Sequence, residues 1–293
     1  MNILKKQFFF SLIVGLVGFS ISGPFEDYLA LFLILSLGLL HGSNDLMVIQ
    51  KLASYEQVVS ISYRKTLLVY IGLILLVLFL FYTQRQFALL FFVLISSFHF
   101  GQQHWHRRTK GMNGLRYAFY TSYGLLIFGL LFWTHAEQSS LVIEAITSLA
   151  FTAHHFIGLS AVAFVLVLVL FIIQSLSFRV ILLELGVLLF ILTVFRYTSL
   201  LLSFALYFSL WHAMPSIKDQ IELLYPKSSS LSFTSYVKAA FLYWGISVVG
   251  FGLILFLVGL SALDVLELLV YFLAAITFPH VIVMSRVERA LES

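Results

Sequence analysis

Residues 66–83 read TLLVYIGLILLVLFLFYT, eighteen residues without a charge, bracketed by Arg64-Lys65 and Arg85. As an α-helix this run is roughly 27 Å long, close to the roughly 30 Å hydrocarbon core of a bilayer. Lipid leaves an open chain no spanning option but the helix, because every backbone N–H and C=O must be satisfied within the segment. The rest of the chain repeats the pattern. Apolar blocks fall at 7–22, 27–50, 66–83, 86–105, 115–134, 157–175, 179–195, 197–213, 237–260 and 264–285, with short connections between them. The expected fold is all-α, a polytopic transmembrane bundle of about ten helices in a single domain covering residues 1–293.

Composition agrees. The 293 residues are 61% hydrophobic and only 10% charged, with a mean hydropathy of +1.03. Soluble domains carry about 25% charged residues, so a water-soluble globule is excluded. The chain has no cysteine, which removes disulfides, thiolate zinc sites, iron–sulfur clusters and c-type haem. The +4 net charge reads as topology and not as nucleic-acid binding. With the N-terminus in the cytoplasm, only Arg85 and Arg196 of the 17 basic residues fall outside the cytoplasmic segments, as the positive-inside rule expects.

Two segments are read with alternatives. Residues 1–22 hold Lys5, Lys6, an apolar run and Ser20-Ile21-Ser22-Gly23. An uncleaved anchor is the preferred reading and a cleaved signal peptide the alternative. Residues 139–156 read as an interfacial or re-entrant helix, since a full span there would invert everything downstream. Pro215 is expected to end the eighth block. Beyond it, Ile217, Ile221 and Leu224 recur at helical spacing among charged residues. They predict a short amphipathic helix at the cytoplasmic surface, read as a plain interfacial helix in preference to a lid.

Nine histidines occur in this apolar chain. His41, His99, His212 and His280 fall in blocks two, four, eight and ten, each in the final third or so. In the alternating topology these four blocks run in one direction, which puts the four imidazoles in one layer of the membrane. A lone histidine there would be a hydrogen-bonded core residue. Four at one depth point to a shared metal site, since ionisable groups in a membrane face one another and imidazole suits iron, copper and zinc. Asp45 lies one turn after His41, placed to orient a metal-bound histidine, and reads equally as a helix-end charge. Gly42 and Gly101 predict close helix approach. Pro279 precedes His280 and predicts a disturbed helix. His104 and His106, beside Arg107 and Arg108, read as a solvated basic face, and His135 as an exposed loop residue. His154-His155 are candidates to line a cavity behind the ligands or to supply a ligand.

These motifs together resemble the Brp/Blh family of membrane β-carotene 15,15′-dioxygenases, the microbial retinal-forming enzymes. The marks are Leu40-His41-Gly42 with Asp45, Ser97-Phe98-His99-Phe100-Gly101, Tyr207-Phe208-Ser209-Leu210-Trp211-His212 and Phe278-Pro279-His280. The resemblance implies a non-haem ferrous iron, Fe(2+), held by histidines. It also implies dioxygen as co-substrate, β-carotene cleaved at its central double bond to retinal, and delivery of product to a retinal-binding opsin. The expected location is a bacterial inner membrane, with both termini cytoplasmic by the charge pattern. His41, His99 and His212 match positions regarded as ligands in the family. The family has a further histidine four residues after the Trp-His motif, where this chain has Ser216. Either His280 is the fourth ligand and the missing histidine auxiliary, which is favoured, or the site is altered.

Other classes of membrane protein fit these residues less well. A di-iron desaturase needs eight or more clustered histidines, to which His104, His106, His154 and His155 make an incomplete contribution. A haem- or metal-binding protein without enzymatic activity would use paired axial histidines. A transporter would use buried titratable groups, of which Asp45 and Glu184 are the carboxylate candidates. The last block holds no lysine, against a retinal-binding opsin.

Overall fold

The computed structural model describes residues 9, 12–13, 23–55, 62–109, 114–225, 232–258 and 261–292. Most of the first apolar block, and with it Lys5, Lys6, Ser20 and the choice between anchor and signal peptide, lies outside the described residues, as do Lys110 and Lys227. The described residues are helical and contain no strand. In chain order the α-helices are α1 (Pro24–Leu33), α2 (Asp45–Tyr55), α3 (Tyr63–Thr83), α4 (Arg85–Trp105), α5 (Arg116–Thr134), α6 (Ala136–Thr147), α7 (Ala153–Ile173), α8 (Phe178–Tyr197), α9 (Leu200–Leu206), α10 (Met214–Leu224), α11 (Ser232–Val258) and α12 (Ala262–Glu292). Two π-helical turns, Ile34–Gly38 and Tyr207–Ala213, are set into the run.

Among the described residues, seven helical stretches are long and apolar enough to cross a membrane. Their outer surfaces require one. Helix α3 buries Val77 and Phe81 but leaves Leu68, Leu75 and Phe79 at least 60% exposed. Each such side chain would forgo about 1.5–3 kcal/mol if left in water, so this face belongs against lipid.

Two sequence expectations are corrected here. The second block is not one helix. It passes from α1 through a π turn to Leu40, breaks at His41–Asn44 and resumes as α2. The helix of the eighth block does not end at Pro215, because helix continues through it to Leu224. Proline occupies the second position of α10, just after a π turn, where the loss of one N–H costs least. The amphipathic helix expected beyond it is real but continuous with the spanning one, and only Lys218 and Glu222 of its charged residues are exposed. Residues 139–156 resolve into α6, which ends at left-handed Ser148 (φ 59°), and a non-helical stretch before α7.

By contacts the chain forms two compact units, residues 1–34 with 93–215 and residues 35–92 with 216–293. In the first, α5 packs along α7, and α9 packs on α1. Two glycines let α4 meet α5. A Cβ on Gly101 would lie 1.9 Å from the Tyr120 carbonyl oxygen, and a Cβ on Gly124 would lie 1.9 Å from that of Ser97. Only glycine fits at such a backbone-to-backbone approach. Trp105, Phe119, Tyr123 and Phe171 fill the space beside this crossing. In the second unit, α12 packs on α3 and α2. Its core is Val48, Leu52, Ile217, Leu223, Leu224, Tyr236, Val283, Met284 and Val287.

Candidate metal centre

In the first unit, α4 carries His99 two residues before Gly101, so the glycine crossing sets its position. His212 sits in the π turn Tyr207–Ala213. A π turn fits one extra residue into the helix and re-aims its side chains, and such turns occur frequently at functional sites. The rings of His99 and His212 meet edge-on, with centroids 4.6 Å apart and planes at 75°. Phe100 lies 4.6 Å from the His212 ring, and Phe208 stacks on it at 5.8 Å and 12°. Both histidines are buried.

In the second unit, His41 and His280 form a matching pair, also buried, with centroids 4.6 Å apart and planes at 85°. His41 stands at the helix break. Breaking a helix inside a membrane protein strands carbonyls, and these must find partners. Ser43 Oγ donates to the Leu39 carbonyl at 2.7 Å. Gln220 Nε2 donates to the His41 carbonyl at 2.6 Å. The Tyr236 hydroxyl lies within reach of the carbonyls of Leu40 and His41 and of Gln220 Oε1. Asn44 Nδ2 returns a bond to the Tyr236 carbonyl at 3.0 Å, and Trp244 Nε1 donates to Leu35 in the π turn at 2.7 Å. The break is thus held by side chains of α10 and α11.

The tautomers follow from the partners. His41 Nδ1 hydrogen-bonds the Gly38 carbonyl, so it carries the proton and Nε2 the lone pair. His280 Nδ1 donates to both oxygens of Asp45, at 2.9 and 3.0 Å. Asp45 also accepts from the Tyr70 hydroxyl at 2.8 Å. A carboxylate behind an imidazole is the arrangement that fixes ring and tautomer in histidine metal sites. Asp45 therefore serves His280 on a distant helix, not its own neighbour His41. Within each pair a ring nitrogen of one histidine lies within 4.8 Å of a ring nitrogen of the other. Buried imidazoles of this kind fit a borderline metal such as iron, copper or zinc.

The remaining sequence candidates are placed elsewhere. Ser216 is buried and its Oγ accepts from Gln220 Nε2 at 3.3 Å, so it supports the side chain that holds His41's carbonyl. His154 and His155 are exposed in the first turn of α7, where His155 forms a capping box with Thr152; neither is brought to the histidine pairs. The solvated face expected of His104 and His106 is corrected. His106 is buried, and His104 Nε2 lies 2.8 Å from Glu184 Oε1, with both side chains nearly inaccessible. Arg108 and Tyr123 complete that cluster, at 2.9 Å and 2.6 Å from Glu184. A carboxylate in an apolar helix demands such partners. His135, expected to be exposed, is half-buried and bonded to the carbonyls of Leu131 and Thr198. Gly101 gives the close approach expected of it. At Gly42 a Cβ would meet the His280 ring at an ordinary 3.6 Å, so packing alone does not demand glycine there.

Sequence reasoning missed Tyr70, Gln220 and Tyr236. The available signal was polarity in apolar surroundings, which identifies a group needing a partner without naming the partner.

Fold and site together define a helical membrane protein with two buried histidine pairs, one of them supported by a carboxylate. Residues 32–288 match the profile of one family, beta-carotene 15,15′-dioxygenase, and the chain belongs to that family. No match was found among curated proteins or among solved structures.

Proposed function

We propose that this protein cleaves β-carotene at its central 15,15′ double bond with dioxygen, giving two molecules of retinal. His41, His99, His212 and His280 would hold one non-haem ferrous ion. The observation that carries the reading is the pairing of buried imidazoles in a chain of this family, one pair backed by Asp45. The reaction replaces one C=C by two C=O and keeps both atoms of O2, so it needs no proton donor, acceptor or external reductant. When bound, ferrous iron supplies the activation of dioxygen toward the alkene.

The chain's own residues have the other tasks. Asp45 and Tyr70 hold the His280 ring in one orientation. Gln220 and Tyr236 fix the turn that presents His41. Phe100 and Phe208 surround His212 with apolar surface, which excludes water and suits a polyene. Positioning one double bond and keeping the site dry are the protein's contribution to rate. The substrate dissolves in the bilayer and reaches the site from it. The charge pattern supports an inner-membrane orientation with cytoplasmic termini, and retinal implies an opsin as the acceptor.

The test is pigment analysis in a β-carotene-accumulating bacterial host expressing the native chain beside His99→Ala, with iron quantified in the purified proteins. Retinal and roughly one iron per chain for the native protein, with neither for the variant, is the expected result. Two irons per chain, a Soret band, or full activity in His41→Ala would overturn the proposal.

A further inference from the structure

The second unit has a groove that the proposed chemistry does not use. It is a cavity of about 270 Å³ between α3 and α12, with walls that include Val69, Tyr70, Leu73, Pro279 and Ile282 and with Lys65 and Arg286 at one end. The helices set its length. Leu73 lies eight residues, roughly 12 Å, along α3 from Lys65, and Pro279 lies seven residues, roughly 10 Å, along α12 from Arg286. Lys65 lies in the first turn of α3, and Phe81 meets Tyr271 farther along both helices, so α3 and α12 run antiparallel, the two cations share one end, and the apolar walls run away from them for about two helical turns. Val69 is 63% and Ile282 46% exposed.

Among the described residues neither Lys65 nor Arg286 makes an ion pair. The first turn of α3 holds no acid, and Arg64 and Lys65 occupy it, adding positive charge where the helix dipole already favours an anion. Two adjacent cations at the mouth of a hydrocarbon groove, on a surface that belongs against lipid, complement one kind of molecule. That molecule has an anionic head and an apolar tail.

We propose that this groove binds one anionic phospholipid of the bilayer, with its phosphate on Lys65 and Arg286 and an acyl chain along Val69, Leu73 and Ile282. Its inner wall is the ring of Tyr70, whose hydroxyl holds Asp45, so the lipid packs directly against the support of His280. The site is independent of the reaction proposed above, because nothing in it depends on the metal or on the carotenoid.

The experiment is native mass spectrometry of the full chain in detergent, titrated with phosphatidylglycerol or phosphatidylcholine of identical acyl chains. Each cation near a lipid anion contributes about fivefold, so a preference for phosphatidylglycerol of roughly 20- to 30-fold is expected at low salt. Lys65→Gln with Arg286→Gln should abolish the preference. Arg289→Gln, an exposed charge on the same helix outside the groove, should keep it. Ile282→Trp, which fills the groove and leaves both cations, should weaken binding of long-chain but not of dihexanoyl phosphatidylglycerol. Ile282→Trp also decides the matter if the double variant does not fold. Inorganic phosphate at millimolar concentration should not displace the lipid. Equal uptake of the two lipids, equal loss in Arg289→Gln, displacement by phosphate alone, or no effect of Ile282→Trp would each overturn the proposal.

Discussion

Gly124→Ala tests the link between helix packing and the histidine layer. The new methyl carbon would lie 1.9 Å from the Ser97 carbonyl oxygen and 2.4 Å from its carbonyl carbon. Ordinary contact requires roughly 3.5 Å, so α4 and α5 must separate by about 1.5 Å at this point. The obstacle is backbone, which cannot rotate away as a side chain would. Overpacking of this kind costs about 1–3 kcal/mol, and occasionally more; a backbone clash belongs at the upper end. His99 lies two residues beyond Ser97 and shares the displacement. A site must hold its groups within about 0.5 Å to work, so the variant should lose activity more than it loses fold. The assay is the melting midpoint of detergent-solubilised protein, with iron content and retinal formation measured on the folded fraction. Gly158→Ala and Gly186→Ala are the controls, since a Cβ there meets nothing within 4 Å; both should melt near the native protein. If Gly124→Ala matches those controls in melting and in iron, the glycine crossing does not set the position of His99.

Asp45→Asn should weaken metal binding by roughly 10- to 100-fold, the usual cost of losing the carboxylate behind a ligating histidine, read by metal titration of the apoprotein. Tyr70→Phe should have a smaller effect in the same direction. Glu184→Ala removes the shared partner of His104, Arg108 and Tyr123. It leaves buried polar groups uncompensated, and a loss of about 3–5 kcal/mol is expected, seen as poor accumulation of folded protein. His135→Ala should leave retinal formation intact. It deletes two bonds to carbonyls and should lower stability by about 1–2 kcal/mol.

Much of this architecture is legible in the amino-acid order. The spans follow from length and hydropathy, because lipid admits few alternatives, and α3, α5 and α8 fall within a few residues of their expected bounds. The family is legible from four short motifs. What was not legible depends on where carbonyls go. A break at His41 is invisible in an apolar run, since the residues that satisfy it, Gln220 and Tyr236, lie 179 and 195 positions away. Pro215 looked like a terminator because a local rule was applied without the π turn that precedes it. His104 reads as solvated from its basic neighbours Arg107 and Arg108, and His135 from its place in a connection between apolar blocks. Glu184 on α8, and the carbonyl of Thr198 in the connection between α8 and α9, bury them.

The π turn at Tyr207–Ala213 also makes this helix unusually intolerant of a change in length. Such a turn holds one residue more than the α-helical turn it replaces, so deleting one residue within it would restore regular winding while the helix on either side kept its facing. His212 lies inside the turn, and its side chain is the one that would be re-aimed. A deletion in the regular helix beyond the turn would instead rotate every later position by about 100°. The first change exchanges a displaced histidine for a faultless helix, and the second moves everything past the cut. The irregularity is therefore inherited as a count of residues as much as by their identity.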